Sequence, residues 1–212
     1  MEIKNIIFDM GGVLVDLERE RCVSAFARLG FPGFGGYLDT YRQKGFFAAF
    51  ENGDITEEEF RAEVRRHIPA DAAGAVSDSD IDNALQQFLT GIKPYKAAFV
   101  HTLRGRFRLF VLSNINPICW RYSQQLFRQA DGGEMTGLFE RCFLSYEMNC
   151  SKPEPEIFRR MIGEAGLRPQ ESLFIDDSPL NIKAGAAAGL RVLLYDVRTD
   201  LAEKVTEALQ AW

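Results

Sequence analysis

Four short segments of this sequence carry side chains that could do chemistry together: Asp9-Met10-Gly11-Gly12, Ser113-Asn114, Lys152, and the pair Asp176-Asp177. Three carboxylates brought to one place repel one another unless a hard dication sits between them, and Mg²⁺ is the usual partner of an oxygen ligand set. Lys152 and such an ion would then hold an anionic group. This combination suits phosphoryl transfer, in which catalysis is mainly positioning and charge stabilisation, with one carboxylate free to act as nucleophile. Gly11 and Gly12 permit the tight turn and close backbone approach that a nucleophile loop needs. Taken singly, Asp9 also reads as a turn cap and Lys152 as an ordinary surface lysine.

The elements that would position these groups are legible as an alternation. Residues Ile3 to Phe8, Phe107 to Leu112, Arg141 to Leu144, Ser172 to Ile175 and Arg191 to Tyr195 are short β-branched or aromatic-rich runs, suited to strands buried on both faces. Helical stretches fall between the last four, at Ile118 to Gln129, Glu154 to Ala165 and Pro179 to Ala188. Strand, helix, strand in succession implies right-handed crossovers, hence an α/β fold with a parallel sheet of five or more strands flanked by helices. In such a sheet ligands sit at the carboxyl ends of the strands, where all four segments lie.

The stretch from Leu17 to Ile92 breaks this alternation. It shows no strand, but four helices are expected, at Glu18 to Leu29, Gly36 to Phe50, Thr56 to His67 and Asp78 to Leu89. The third opens with the capping box Thr56-Glu57-Glu58-Glu59. Asp16 reads as a helix N-cap at the entry, Gly91 to Pro94 as the return linker, and Tyr95 to Leu103 as a helix leading back to the sheet. The chain therefore divides into a core of residues 1–16 and 93–212 and a helical insert of residues 17–92. Phe46, Phe47 and Phe50 read as insert core, with one of them a candidate to face the site. Tyr41, Arg42, Lys44 and Glu51 are polar neighbours able to touch a substrate. His67 and His101 lie away from the motifs, and Asn181, four residues after Asp177, is placed to orient a metal site.

Composition narrows the function classes. The 212 residues are 46% hydrophobic and 26% charged, with a net charge of −5. The insert holds 13 acidic and 8 basic residues, so the rest of the chain is balanced. No cationic stripe exists to neutralise phosphates, which argues against a nucleic-acid partner. No apolar run approaches the roughly 20 residues of a membrane span, and the first residues lack signal-peptide anatomy. A cytoplasmic protein with a small anionic partner is expected. Cys22, Cys119, Cys142 and Cys150 match neither a redox pair nor a zinc site and are read as reduced.

In order and spacing, Asp9-Met10-Gly11-Gly12-Val13-Leu14, Leu112-Ser113-Asn114, Ser151-Lys152-Pro153-Glu154-Pro155-Glu156-Ile157-Phe158 and Phe174-Ile175-Asp176-Asp177-Ser178 resemble the four motifs of the haloacid dehalogenase superfamily. The insert resembles that superfamily's C1 cap, which closes over the site of a Rossmann-like core. The resemblance implies that Asp9 is a nucleophile that becomes an aspartyl phosphate and that the Gly11 carbonyl is a metal ligand. It further implies that Ser113 and Asn114 bind the phosphoryl group, that Lys152 neutralises nucleophile and transferring group, and that Asp9, Asp176 and Asp177 hold Mg²⁺. The partner so implied is a small phosphorylated metabolite, such as a sugar phosphate.

One departure stands out. Most phosphatases of the superfamily place a second Asp two residues after the nucleophile, as general acid and base, and here that position is Gly11. Such a group is worth about 10²- to 10⁴-fold. A phosphatase lacking it must find a proton donor elsewhere or favour substrates with good leaving groups, such as anomeric sugar phosphates or aryl phosphates. Haloacid dehalogenases lack the second Asp but use no Mg²⁺, which the Asp176-Asp177 pair disfavours. Phosphonoacetaldehyde hydrolases use a cap lysine, for which Lys44 is the sole lysine of the insert. The remaining alternative is a catalytically weak relative that binds a phosphometabolite or a protein.

Overall fold

The computed structural model describes residues 2–39 and 43–211. In chain order the elements are β1 (Asn5–Phe8), β2 (Asp16–Leu17), α1 (Arg19–Arg28), α2 (Gly45–Asn52), α3 (Glu57–Arg66), α4 (Ala70–Ala73), α5 (Asp78–Gln86), β3 (Leu89–Gly91), α6 (Pro94–Leu103) and β4 (Arg108–Ser113). They continue with α7 (Pro117–Asp131), β5 (Arg141–Leu144), α8 (Ser145–Met148), α9 (Pro155–Glu164), β6 (Ser172–Asp176), α10 (Pro179–Ala187), β7 (Arg191–Leu194) and α11 (Leu201–Gln210). Five strands form one parallel sheet in the order β5-β4-β1-β6-β7. The expected five-stranded parallel sheet is thus present, with β4 and β6 each extending one residue further than expected so that Ser113 and Asp176 are strand residues.

The central position of β1 follows from its sequence. Asn5 to Phe8 are all buried, and pairing with β4 on one side and β6 on the other satisfies both edges of the strand. Alternate residues serve opposite faces: Ile6 and Phe8 join one apolar cluster and Ile7 another with Phe110, Phe158 and Phe174. Pro94, Pro117, Pro155 and Pro179 each open a helix, where the fixed φ favours the first turn and the missing N–H costs no bond. Each of the last three thereby sets a sharp start just after a strand end or the Lys152 loop.

The insert departs from expectation in three ways. First, it contains a two-stranded antiparallel pair, β2 with β3, through which the chain leaves and re-enters the core. Second, the helix expected over Gly36 to Phe50 is instead a 3₁₀ turn at Pro32–Gly36 followed by α2. Gly45 sits at φ 54°, left-handed, so a continuous right-handed helix cannot pass through it. Third, Asp16 caps no helix: α1 starts after Glu18 without a side-chain cap, and Asp16 Oδ1 accepts a bond from the fully buried Lys96 Nζ at 2.9 Å. That ion pair ties the exit strand to α6. The Thr56 capping box forms as expected, with Glu59 N–H donating to Thr56 Oγ1 at 3.2 Å and Thr56 N–H to Glu59 Oε2 at 2.8 Å.

Aromatic residues fill the insert. Phe26 stacks on Phe34, Phe50 on Phe60, and Phe47 is fully buried beside both groups, all in the same apolar cluster as Phe8 and Val111 of the sheet. The insert therefore shares its apolar interior with one face of the sheet. All four cysteines are free, and no helix among the described residues is long and apolar enough to cross a membrane.

Candidate active site

Four strand ends and loops deliver the predicted groups to one cavity. Asp9 follows β1, Ser113 ends β4, Asp176 ends β6 with Asp177 next to it, and Lys152 lies in the loop before α9. The cavity is lined by Asp9, Ser113, Asn114, Lys152 and Asp177 from the sheet side, and by Gln43, Glu51 and Phe88 from the insert.

Lys152 is the hub. Its Nζ lies 2.7 Å from Asp176 Oδ2 and 3.0 Å from Asp9 Oδ1, and its side chain is almost wholly buried. Asn114 holds the lysine's backbone in a closed pair: its Nδ2 donates to Lys152 O and its Oδ1 accepts from Lys152 N–H, both at 2.8 Å. Both ends of the Asn114 amide are therefore occupied. These bonds fix Lys152 and leave the second Nδ2 hydrogen of Asn114 beside the cavity that its side chain also lines. Asp176 is likewise held in place, its Oδ1 accepting from Ser178 N–H at 2.8 Å and both oxygens lying 3.1 Å from Asn181 Nδ2. Asn181 thus orients a carboxylate, as its place in the sequence suggested.

Asp177 makes no ion pair among the described residues, yet each of Asp9, Asp176 and Asp177 offers an oxygen within 4.8 Å of the others. An octahedral ion with metal–oxygen bonds of about 2.0–2.1 Å is compatible with that spacing. Gly12 makes the approach possible: it adopts φ 78°, and a Cβ there would lie 2.3 Å from Asp177 Oδ2. Gly11 is constrained otherwise, since a Cβ at that position would meet Leu17 Cδ1 at 3.0 Å.

The charges are unbalanced. Burial lifts the Asp9 carboxyl, Lys152 opposes the rise, and Asp176 and Asp177 add to it, placing it at about 7. Burial and Asp176 similarly push Asp177 up to about 6. Burial pulls on the Lys152 ammonium in the opposite sense, but Asp176 and Asp9 prevail and hold it above the usual lysine range. Three carboxylates around one ammonium form a site whose excess negative charge a dication would neutralise, so the donor set fits Mg²⁺.

Of the polar insert residues singled out in the sequence, Glu51 alone among those described lines this cavity. Tyr41 and Arg42 lie outside the described residues. Lys44 is 64% exposed and pairs with Asp39 at 3.1 Å. None of Phe46, Phe47 and Phe50 faces the cavity; among the described residues the insert's aromatic contribution is Phe88. Glu51 is pushed up to about 8 by burial and by Asp9, against the pull of Lys152. Its sequence signal is an acidic residue closing the otherwise apolar run Phe46-Phe47-Ala48-Ala49-Phe50.

The end of α2 is fastened to the sheet side at several points. Ser145 Oγ donates to Glu51 O and accepts from Ile115 N–H at 3.0 Å. Asn149 Nδ2 donates to Gly53 O at 3.2 Å, and Ser151 Oγ to Asn52 Oδ1 at 3.1 Å. Gly53, at φ 77°, ends the helix where any Cβ would collide with Tyr146 O. No sequence pattern announces the contacts of α2, because each pairs residues about 95 positions apart through ordinary Ser and Asn side chains.

Residues 3–189 match the haloacid dehalogenase-like hydrolase family. A D-ribitol-5-phosphate phosphatase of Bacteroides thetaiotaomicron is 31% identical over 210 residues, 99% of this chain and 100% of its own length. A crystal structure of a haloacid dehalogenase family enzyme from the same species, in complex with magnesium and inorganic phosphate, superposes with a TM-score of 0.85 at 36% identity, covering 93% of this chain and 96% of that one. A haloacid dehalogenase-like hydrolase from Porphyromonas gingivalis superposes with a TM-score of 0.87 at 33% identity, covering 99% of both chains.

Proposed function

We propose, from the premise that this chain belongs to the haloacid dehalogenase-like hydrolases, that it is a Mg²⁺-dependent phosphatase acting on a small phosphorylated polyol or sugar. The observation that carries this reading is Lys152 Nζ, held within 3.0 Å of Asp9 and 2.7 Å of Asp176 with Asp177 alongside. A pure binding site for a phosphate would gain nothing from a nucleophile-ready carboxylate beside its cation. The polyol or sugar assignment draws on the ribitol-5-phosphate phosphatase relative, aligned over its full length.

In this reading Asp9 attacks phosphorus in line with the departing oxygen. Its carboxylate forms the acyl phosphate, which water then hydrolyses. Lys152 lowers the repulsion between Asp9 and the incoming anion and follows the charge onto the transferring oxygens. The Ser113 hydroxyl, buried at the end of β4, donates to the phosphoryl group. Asn114 acts through Lys152, keeping its backbone in register. Asp9, the Gly11 carbonyl, Asp176 and Asp177 would hold Mg²⁺, which when bound supplies positive charge at the phosphoryl oxygens. Residues 17–92 serve as a C1 cap over the core of residues 1–16 and 93–212.

Lys44, exposed and paired with Asp39, is not positioned as a Schiff-base lysine. The carboxylate cluster likewise favours a metal-dependent reaction over halide displacement. The test is phosphate release from p-nitrophenyl phosphate and a panel of sugar and polyol phosphates in Mg²⁺ or in EDTA. Release in Mg²⁺ that EDTA abolishes is expected; no release from any substrate contradicts the assignment.

A further inference from the structure

The phosphatase reading leaves a proton without a carrier, since Gly11 cannot deliver one to the leaving group. Elsewhere in the molecule, most titratable groups near enough to consider are committed. His67 stacks on Phe31 with ring centroids 4.4 Å apart and bonds the Glu63 carbonyl. His101 pairs with Asp131 at 2.6 Å on α6 and α7. Asp16 is held by Lys96, and Asp176 by Lys152, Ser178 and Asn181. Cys119 borders the cavity, but burial pushes its thiol far above any working range.

We infer that Glu51, at the end of α2, is the general acid and base of this site, standing in for the carboxyl absent at Gly11. Glu51 borders the cavity that also contains Asp9, Ser113, Lys152 and Asp177, and it borders the adjoining groove between α2 and the Lys152-Pro153-Glu154 loop. It is thus placed where the inner cavity opens toward the insert, the side left for the part of a substrate beyond its phosphate. No hydrogen bond or ion pair to its carboxyl occurs among the described residues, so its proton is uncommitted. Its position is nonetheless fixed, because Ser145 holds its carbonyl and Asn149 and Ser151 hold the two residues that follow. Its burial in the cavity wall favours the neutral carboxyl, the state an acid needs before the first step.

The inference rests on the phosphatase reading, and its chemistry closes. As Asp9 forms its bond to phosphorus and the bond to the leaving oxygen breaks, the Glu51 proton passes to that oxygen, releasing an alcohol and leaving Glu51 ionised. Glu51 then takes a proton from the water that attacks the acyl phosphate. The bond from phosphorus to Asp9 breaks, inorganic phosphate forms, and both carboxyl groups return to their starting states. A primary alkoxide is a poor leaving group, so an enzyme for polyol phosphates needs such a donor. The preference for good leaving groups that Gly11 implies would then belong to a variant lacking Glu51 rather than to the native chain.

The experiment compares the native protein with Glu51→Gln on D-ribitol-5-phosphate and on p-nitrophenyl phosphate, whose leaving group needs no proton. Loss of the acid is expected to lower kcat/KM for the alkyl phosphate by about 10²-fold while that for p-nitrophenyl phosphate stays within about threefold. Loss of the base is expected to slow the second step, giving a burst of p-nitrophenol and acid-stable phosphate on the protein. Retention of kcat/KM and of the burst on p-nitrophenyl phosphate also certifies that the variant is folded; Glu51→Asp, which keeps the carboxyl, should lie between the two on the alkyl substrate. Equal losses on both substrates, or no loss on either, would overturn the inference, as would a native enzyme that cleaves p-nitrophenyl phosphate but no alkyl phosphate. Absence of phosphate release by the native protein from every substrate would instead remove the phosphatase reading beneath it.

Discussion

The sheet side and the insert side of the cavity are built on opposite terms. On the sheet side Lys152 bridges Asp9 and Asp176, Asn114 clamps Lys152, and Asn181 and Ser178 N–H clamp Asp176. On the insert side Glu51 has its backbone fastened, and its carboxyl has no hydrogen bond or ion pair among the described residues. Groups that stabilise charge work best when fixed before the substrate arrives, so mutual satisfaction favours them. A group that moves a proton must find its partner in the substrate, and a satisfied carboxyl would have to break a bond first. The two halves divide electrostatics from proton transfer, and the insert carries the half that Gly11 cannot supply.

Breaking the sheet-side network should have the largest effect on stability. Lys152→Met leaves Asp9 and Asp176 buried without their cation, and removing one partner of such an arrangement typically costs about 3–5 kcal/mol. Denaturant unfolding of the metal-free protein should register this loss, and a variant as stable as the native chain would contradict the assigned role of hub. A smaller effect of opposite sign is expected at Glu51. Its carboxyl ordinarily titrates at 4.5, but in the folded chain it holds its proton up to about 8. Between those values the unfolded chain binds fewer protons than the folded one, so Glu51 makes stability fall as pH rises. The groups that face it are Asp9 and Lys152 from the sheet side and Cys119 from α7. Glu51→Gln removes this dependence, and its melting temperature without Mg²⁺ should gain on the native protein from pH 5 to pH 8; a difference independent of pH would count against a protonated Glu51. The smallest effect sharpens the comparison: Ser145→Ala deletes the anchor at Glu51 O and should cost about 1 kcal/mol. It should also slow alkyl phosphates several-fold more than p-nitrophenyl phosphate, measured as the ratio of their kcat/KM values.

The sheet side was the more legible in sequence. Asp9, Ser113 and Asp176 each follow or end an apolar run, Lys152 lies in the loop that follows another, and such runs in an α/β pattern place their last residues at one edge. Legibility ended where position depends on a single backbone angle or on contacts distant in sequence. Gly45 looks like an ordinary residue within a helical stretch until its left-handed conformation divides that stretch. Strands β2 and β3 have two and three residues, too few for an alternating pattern to register. Asp16 has the residue type of a helix cap, and only the buried approach of Lys96 from 80 positions away assigns it otherwise. The pairing of the Asn114 side chain with the Lys152 backbone was not legible, because it depends on how the loop before α9 folds back on the end of β4. Glu51 stood among four polar neighbours with only its place at the end of an apolar run to mark it, and the fastening of α2 to Ser145 and Asn149 sets it apart.

The central claim is that Asp9 carries the phosphoryl group between substrate and water. Borohydride reduction of an acyl phosphate converts the aspartate to homoserine, so the protein should be mixed with substrate in Mg²⁺, reduced, digested and examined by mass spectrometry. Conversion at Asp9 that requires both substrate and Mg²⁺ is the predicted result. Phosphate release without conversion at Asp9, or conversion at another carboxyl group, would contradict the account.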